Sequence, residues 1–479
     1  MRLVFVSSNP PALVTTDSIT YVQPALSLAN GQGFDLTLRR TPGYPLFLAG
    51  VLALSASNLS LAALAQHLLG VATIVATYWL GVFSFGRLSG LVGGFTVALS
   101  GPQLIYEHYL MTEPLFTLVL VLSLLGLVAA ARRNDSHLYL LSGALFGACA
   151  LIRPIGQLFL IFVPLTALLA ARDLRRALSV TVLAGVGFAV VLLPWMARNY
   201  AVGGSFTSST ALGKTLFGRI TRHDDGLRFD LPSVGPAASD PVRASALEFA
   251  RQAAENDASR GSLVHAQLMR DYGYSEAQAY AVMRDAALEV LLAQPDYWLA
   301  SSAAGAVQLL LGKEEPLREH FARLSVDRLR NDWRDAGLAS LLPAEVRPEA
   351  RGVQHNQAVW VSRLYEPSRQ PQSAILAILL AVGTIATFWQ AQWRLALGLP
   401  LLVICVLASS ALLDGPVPRF RYPLDPVIAI VATAGGLALL HMARRLLRSR
   451  LPSSLPGRTD GPTSDNRESG GVRVGLHTT

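Results

Sequence analysis

One carboxylate and a set of arginines carry the chemistry that this sequence offers. Near the start the chain reads Asp17-Ser18-Ile19-Thr20-Tyr21, and then Arg40-Thr41-Pro42-Gly43-Tyr44-Pro45. Further on come Glu107-His108-Tyr109-Leu110-Met111-Thr112-Glu113-Pro114, then Ile152-Arg153-Pro154, then Trp195-Met196-Ala197-Arg198-Asn199, and finally Arg419-Phe420-Arg421-Tyr422-Pro423. A carboxylate at a partly desolvated face can have its pKa raised toward a range useful for taking a proton from a hydroxyl, and Asp17 is the choice for that task. Guanidinium groups stay charged and grip phosphate through two parallel hydrogen bonds. Arg153, Arg198 and Arg421 are the first candidates for that role, with Arg40 and Arg419 behind them. Glu107 and Glu113 are placed to orient hydroxyl groups, with His108 assisting and Tyr422 beside the arginines.

Each of these residues also has an ordinary structural reading. Asp17 could cap the helix that its following apolar residues suggest. Arg153 and Arg198 could anchor helix ends at headgroup level, and Arg419, Arg421 and Tyr422 could form an interfacial belt. Glu113, ahead of Pro114, complements the dipole of the apolar helix it starts. A lone histidine such as His108 is commonly structural.

The elements that must hold these side chains are membrane helices. The chain has 479 residues, 52% hydrophobic and only 15% charged, with a mean hydropathy of +0.40. That is more apolar material than one soluble core needs. Apolar stretches at residues 60–84, 88–104, 112–131, 138–152, 155–171, 177–194, 374–389, 395–413 and 424–441 are expected as roughly nine spans. Short apolar stretches at 44–56 and 297–311 are expected as interfacial or re-entrant helices. The fold class is therefore an all-α polytopic membrane bundle. Cys149 and Cys405 lie inside apolar stretches as small hydrophobes, and the run at residues 3–6 is too short for the apolar part of a signal peptide.

The formal charge of +8 is a topology signal rather than a nucleic-acid footprint, because arginines collect in short connectors. Arg87, Arg132, Arg133, Arg172, Arg175, Arg176, Arg394, Arg444, Arg445, Arg448 and Arg450 all fall on one side of the expected bundle, which the positive-inside rule assigns to the cytoplasm. Every motif quoted above then lies on the opposite face. The expected organisation is an outer loop with short helices at 1–59, spans at 60–198, a mostly helical outer insert at 199–372, spans at 373–447 and a disordered cytoplasmic tail at 448–479. The insert holds most of the acidic residues and about half of the basic ones.

This ordered motif set resembles the GT-C superfamily of integral-membrane glycosyltransferases, in particular bacterial relatives of protein O-mannosyltransferases and of the aminoarabinose transferase of lipid A. The resemblance runs from about Asp17 to Arg445, and its strength lies in the order of the motifs. It implies a polyprenyl-phosphate sugar as donor, an acidic residue of the first outer loop at the reaction centre, and inverting displacement without a covalent intermediate. Carried onto this chain, that acidic residue is Asp17. The family's frequent Asp-Glu pair is Asp17-Ser18 here, so neither a cofactor nor a bound divalent metal is expected. The family carries a helix ahead of this loop; with sixteen residues before Asp17, an upstream start or a lost helix is expected. Protein hydroxyl, lipid and glycan are the acceptor classes. High Ala, Arg and Gly usage with two lysines suggests a GC-rich bacterial genome, and the expected location is the bacterial inner membrane. A transporter or lipid flippase would show mid-membrane ionisable residues and paired halves, which are not evident. An O-antigen polymerase or ligase would share the lipid-linked substrates and move whole glycans.

Overall fold

The computed structural model describes residues 2, 14–34, 36–170, 173–222, 226–231, 233–234, 241–255, 261–311, 326–342 and 369–450. Arg172, the apolar run at 3–6, parts of the insert and the tail beyond residue 450 lie outside them. Among the described residues the fold is all-α. In chain order the first helices are α1 (Thr16–Ala29), α2 (Gly43–Leu54), α3 (Leu59–Phe85), α4 (Arg87–Leu99), α5 (Gly101–His108), α6 (Glu113–Arg133) and α7 (Ser136–Ile152). A 3-10 segment, Pro154–Ile161, leads into α8 (Phe162–Ala170) and α9 (Leu174–Gly203). The insert contributes α10 (Ala211–Arg222), α11 (Pro241–Glu255), α12 (Gly261–Tyr272), α13 (Glu276–Leu292), α14 (Pro295–Leu311) and α15 (Val326–Asp335). The chain then forms α16 (Arg369–Trp389), α17 (Gly398–Leu413) and α18 (Asp425–Arg450).

Among the described residues five segments are long and apolar enough to cross a bilayer: Leu59–Phe85, Glu113–Arg133, Leu174–Gly203, Trp393–Leu413 and Tyr422–Leu447. The other four expected spans differ from that standard. Arg87–Leu99 and Gly101–His108 meet at a 55° bend, as a broken span or a re-entrant loop would, while Ser136–Ile152, Pro154–Ala170 and Ala374–Trp389 are shorter apolar helices. The bend has a local cause, since Ser100 is extended and Pro102 follows within the first turn of α5. The 12-residue helix α2 is likewise too short to cross.

Burial shows which helices face what. The apolar window of α6 is 67% buried and that of α9 only 28%, so α6 is central and α9 peripheral. On α9, Leu178, Val182, Val186, Val190 and Leu193 form an exposed apolar stripe at helical spacing. Such a stripe is stable only against lipid or a partner of similar polarity. Close helix crossings need residues without side chains. A Cβ on Gly143 of α7 would meet the backbone carbonyl of Ala184, and one on Gly187 of α9 the carbonyl of Leu140.

The first compact unit runs from Met1 to Ala438, and Leu439–Thr479 form a second. Within the first, α10 to α13 share a core of their own, with Phe217, Ile220, Ala246, Leu268, Met283 and Val290 buried together. Their helices are amphipathic, so each supplies one stripe to that core. α14 packs beside α17, where Trp298 Nε1 donates to the Leu412 carbonyl at 3.0 Å.

Candidate active site

The first turn of α1 presents Asp17. Thr15, not Asp17, caps this helix: the Thr15 hydroxyl accepts from Ser18 N and the Ser18 side chain returns a bond to Thr15 N. Asp17 is therefore not consumed by the helix end. Its Oδ1 accepts from Arg40 Nη2 at 2.9 Å and its Oδ2 from Arg419 Nη1 at 3.1 Å. Arg40 also donates to the Tyr21 hydroxyl at 2.7 Å and lies 4.4 Å over the ring of Tyr21, which is one helical turn after Asp17.

Arg39 and Arg40 sit on a loop held from several sides. Thr41 Oγ1 donates to the Ile152 carbonyl at 2.9 Å, Thr210 N to the Leu38 carbonyl at 3.0 Å, and Leu38 N to Glu276 Oε2 at 3.2 Å. Arg198 Nη2 donates to the Leu36 carbonyl at 3.2 Å, and the Ser209 hydroxyl to the Arg39 carbonyl. Arg153 leaves α7 in an extended conformation because Pro154 disfavours a helical residue before it. It thereby reaches Glu113 Oε1 at 3.0 Å, in the first turn of α6. Arg419 and Phe420 lie on a 3-10 turn between Pro416 and Pro423.

These elements surround a cavity of about 480 Å³. Arg39, Arg40, Arg153 and Arg419 line it together with Glu113 and Asp414. Its hydroxyl and amide groups come from Tyr21, Gln157, Thr207, Ser208 and Ser209, and its apolar wall includes Ile155, Leu158 and Leu212. Asp17 is not itself in the lining; it stands behind Arg40 and Arg419, with its side chain 38% exposed. Arg40 and Arg419 each keep a buried Nε with no hydrogen-bond partner among the described residues.

The electrostatics of Asp17 differ from the sequence expectation of a raised pKa. Burial alone would push its carboxyl up, but the Arg419 guanidinium and then Arg40 outweigh burial and hold it well below the usual carboxylate range. For Arg419, burial would favour loss of its proton, but Asp17 and Glu113 more than offset that and hold it above its ordinary value. Asp17 is thus ionised and doubly paired.

The structure separates the remaining sequence candidates into groups. Arg40, Glu113, Arg153 and Arg419 line the cavity. Arg198 does not; it is bonded to Leu36 and Asn199 and lies 4.7 Å over the Trp195 ring. Arg421 pairs with Asp425 one turn on, at 3.3 Å, and Tyr422 is buried with its ring 4.2 Å from that of Tyr106. Glu107 and His108 belong to a buried network apart from the lining. Arg2 grips both Glu107 oxygens at 2.7 Å, His67 Nδ1 lies 3.0 Å from Glu107 Oε2, and His67 Nε2 lies 3.0 Å from His108 Nδ1. Sequence reading passed over His67 and Arg2, because their partners are far away along the chain. It also passed over Arg39, although the Arg39-Arg40 pair was visible, and Tyr21, which helical spacing from Asp17 could have found. No group of three or more His, Cys, Asp or Glu suited to a metal ion occurs among the described residues.

Residues 39–197 match the family model of dolichyl-phosphate-mannose-protein mannosyltransferases. The matched segment holds Arg39, Arg40, Glu113 and Arg153, while Asp17 and Arg419 lie outside it. No curated protein sequence matches the chain. Among solved structures, it is similar to ArnT from Cupriavidus metallidurans bound to undecaprenyl phosphate, with 14% identity and a TM-score of 0.39 over 94% of this chain and 80% of that one. The apo form of that protein gives 15% identity and a TM-score of 0.37 over 94% and 79%. An Archaeoglobus fulgidus oligosaccharyltransferase tethered to an acceptor peptide gives 13% identity and a TM-score of 0.45 over 91% of this chain, which spans only 46% of the archaeal chain. The family match thus covers about a third of the chain, and it falls on an all-helical part of the structure that includes helices long and apolar enough to cross a membrane.

Proposed function

We propose that the chain transfers a sugar from a polyprenyl-phosphate-linked donor to an acceptor hydroxyl on the extracytoplasmic face of a bacterial plasma membrane, with inversion at the anomeric carbon. The observation that carries this reading is a cavity lined by four arginines, two of which share Asp17. The outer ends of the spans and the insert, 199–372, form the outer face in this reading, opposite the short connectors in which arginines collect. The acceptor is a protein hydroxyl, a lipid or a glycan.

In the reaction the acceptor oxygen bonds to the anomeric carbon as the bond from that carbon to the phosphate oxygen breaks. The acceptor proton passes to the Asp17 carboxylate, and the electron pair leaves on the polyprenyl phosphate. Arginines in a site shielded from water stabilise that charge better than water would. A phosphate in the cavity competes with Asp17 for Arg40 and Arg419, both of which line it. Drawing either guanidinium off Asp17 makes the carboxylate more basic, so donor binding and base activation are coupled. The hydroxyl and amide lining, Gln157 and Thr207 to Ser209, suits a polar sugar.

The test is transfer from a polyprenyl-phosphate sugar by the Asp17→Asn protein in proteoliposomes, with envelope glycans of a deletion strain analysed by mass spectrometry. Transfer should fall by at least ~10²-fold, the usual scale for losing a general base. Wild-type transfer by the variant would remove Asp17 from the mechanism.

A further inference from the structure

Four arginines line the cavity, but three of them are already engaged by carboxylates. Arg40 and Arg419 are paired with Asp17, and Arg153 with Glu113, whose side chain is only 2% exposed. An anion that took one of these guanidinium groups would strip a carboxylate of its partner. For Glu113 that would leave a buried charge uncompensated. Arg39 is different. Among the described residues its half-buried guanidinium makes no hydrogen bond and no ion pair, although it lines the same cavity.

We propose that Arg39 holds the phosphate of the lipid-linked donor, as the cavity arginine that, among the described residues, is held by no hydrogen bond or ion pair. The assignment rests on the donor reading above and adds a residue to it. The backbone around Arg39 is pinned through Leu38 to Glu276 and Thr210 and through its own carbonyl to Ser209, so little ordering remains when an anion arrives. Burial and then the like charge of Arg40 push the Arg39 guanidinium toward losing its proton, a condition that a bound anion relieves. A planar guanidinium meets phosphate through two parallel bonds. Access from the bilayer is present as well, because Leu158 and Leu212 of the cavity wall are 43% and 45% exposed. Arg40 and Arg419 then act second, as the charge on the leaving phosphate develops.

The experiment uses the full chain in nanodiscs of neutral lipid and measures binding of a polyprenyl monophosphate, the polyprenol of equal length, and inorganic phosphate as competitor. Arg39→Gln should weaken polyprenyl phosphate binding by at least ~10-fold, the range for a charge-assisted hydrogen bond, and leave polyprenol binding unchanged. Arg39→Lys should recover part of the affinity, since charge is kept and the fork is lost. The thermal midpoint of Arg39→Gln should match the wild type, because no internal partner is lost. Inorganic phosphate should compete with the lipid in the wild type and no longer with the residual binding of Arg39→Gln. Unchanged lipid phosphate binding by Arg39→Gln, with loss in Arg40→Gln, would overturn the assignment to Arg39 and leave the donor reading standing. A wild type that binds polyprenol as tightly as polyprenyl phosphate would overturn both. A polyprenyl chain that adds nothing to the affinity for inorganic phosphate would make this a free-phosphate subsite and overturn the lipid assignment.

Discussion

Removing Arg153 tests whether the cavity is built on a buried ion pair. Arg153 Nη1 lies 3.0 Å from Glu113 Oε1, with side-chain exposures of 14% and 2%. Among the described residues the other hydrogen bond to that carboxylate comes from the Thr112 hydroxyl, a weaker contact at 3.3 Å. Arg153→Gln therefore leaves Glu113 charged and buried without its hydrogen-bonded cation, a change that typically costs about 3–5 kcal/mol. Glu113→Gln should cost less, about 1–2 kcal/mol, because Arg153 keeps its cation–π contacts with Phe420 at 5.0 Å and Phe116 at 5.6 Å and is nearer to water. In the double variant neither charge remains, so its cost should fall below the sum of the singles by about 2 kcal/mol. Arg40→Gln gives a useful scale, since its partner Asp17 is 38% exposed and keeps Arg419. Exposed pairs of that kind contribute only about 0–1 kcal/mol. Equilibrium unfolding in mixed detergent micelles measures all four proteins. Costs that simply add, or an Arg153→Gln protein within ~0.5 kcal/mol of wild type, would refute the idea that Glu113 depends on Arg153.

Two further outcomes follow from the geometry. The folded carboxyl of Asp17 is held below its unfolded value of 3.8, so its contribution to stability is complete above that value and is lost as pH falls through the lower folded one. The stability difference between wild type and Asp17→Asn should be flat from pH 8 to about pH 5 and shrink below about pH 4; a difference that instead shrinks as pH rises would contradict the pairing. Gly143→Ala should destabilise by about 1–3 kcal/mol, because the added methyl meets the Ala184 carbonyl. Gly185→Ala, with open space around the same helix, should be neutral or stabilising by up to about 1 kcal/mol. Equal effects at the two glycines, by the same unfolding assay, would rule out the close crossing of α7 and α9.

The membrane class was legible in the sequence because it rests on sums over long windows. Apolar runs near the thickness of a bilayer and arginines confined to connectors survive any rearrangement of helix packing. Locally determined features were legible too: Pro154 turning Arg153 out of α7, and Pro114 starting α6 with Glu113 in its first turn. Partnership was not legible. Asp17 and Arg419 are 402 positions apart, and nothing in helical periodicity connects them. The same holds for His67 with Glu107, which lie 40 positions apart and meet in a buried network. Only the packing of α1, α6, α7 and the turn before α18 decided which charges cancel and which one, Arg39, is left over. Its neighbour Arg40 has almost the same sequence context and lines the same cavity, yet only Arg40 of the two is hydrogen-bonded to Asp17 among the described residues. Charge identity is a property of the sequence, whereas charge compensation depends on distances of a few ångströms that the tertiary fold alone sets.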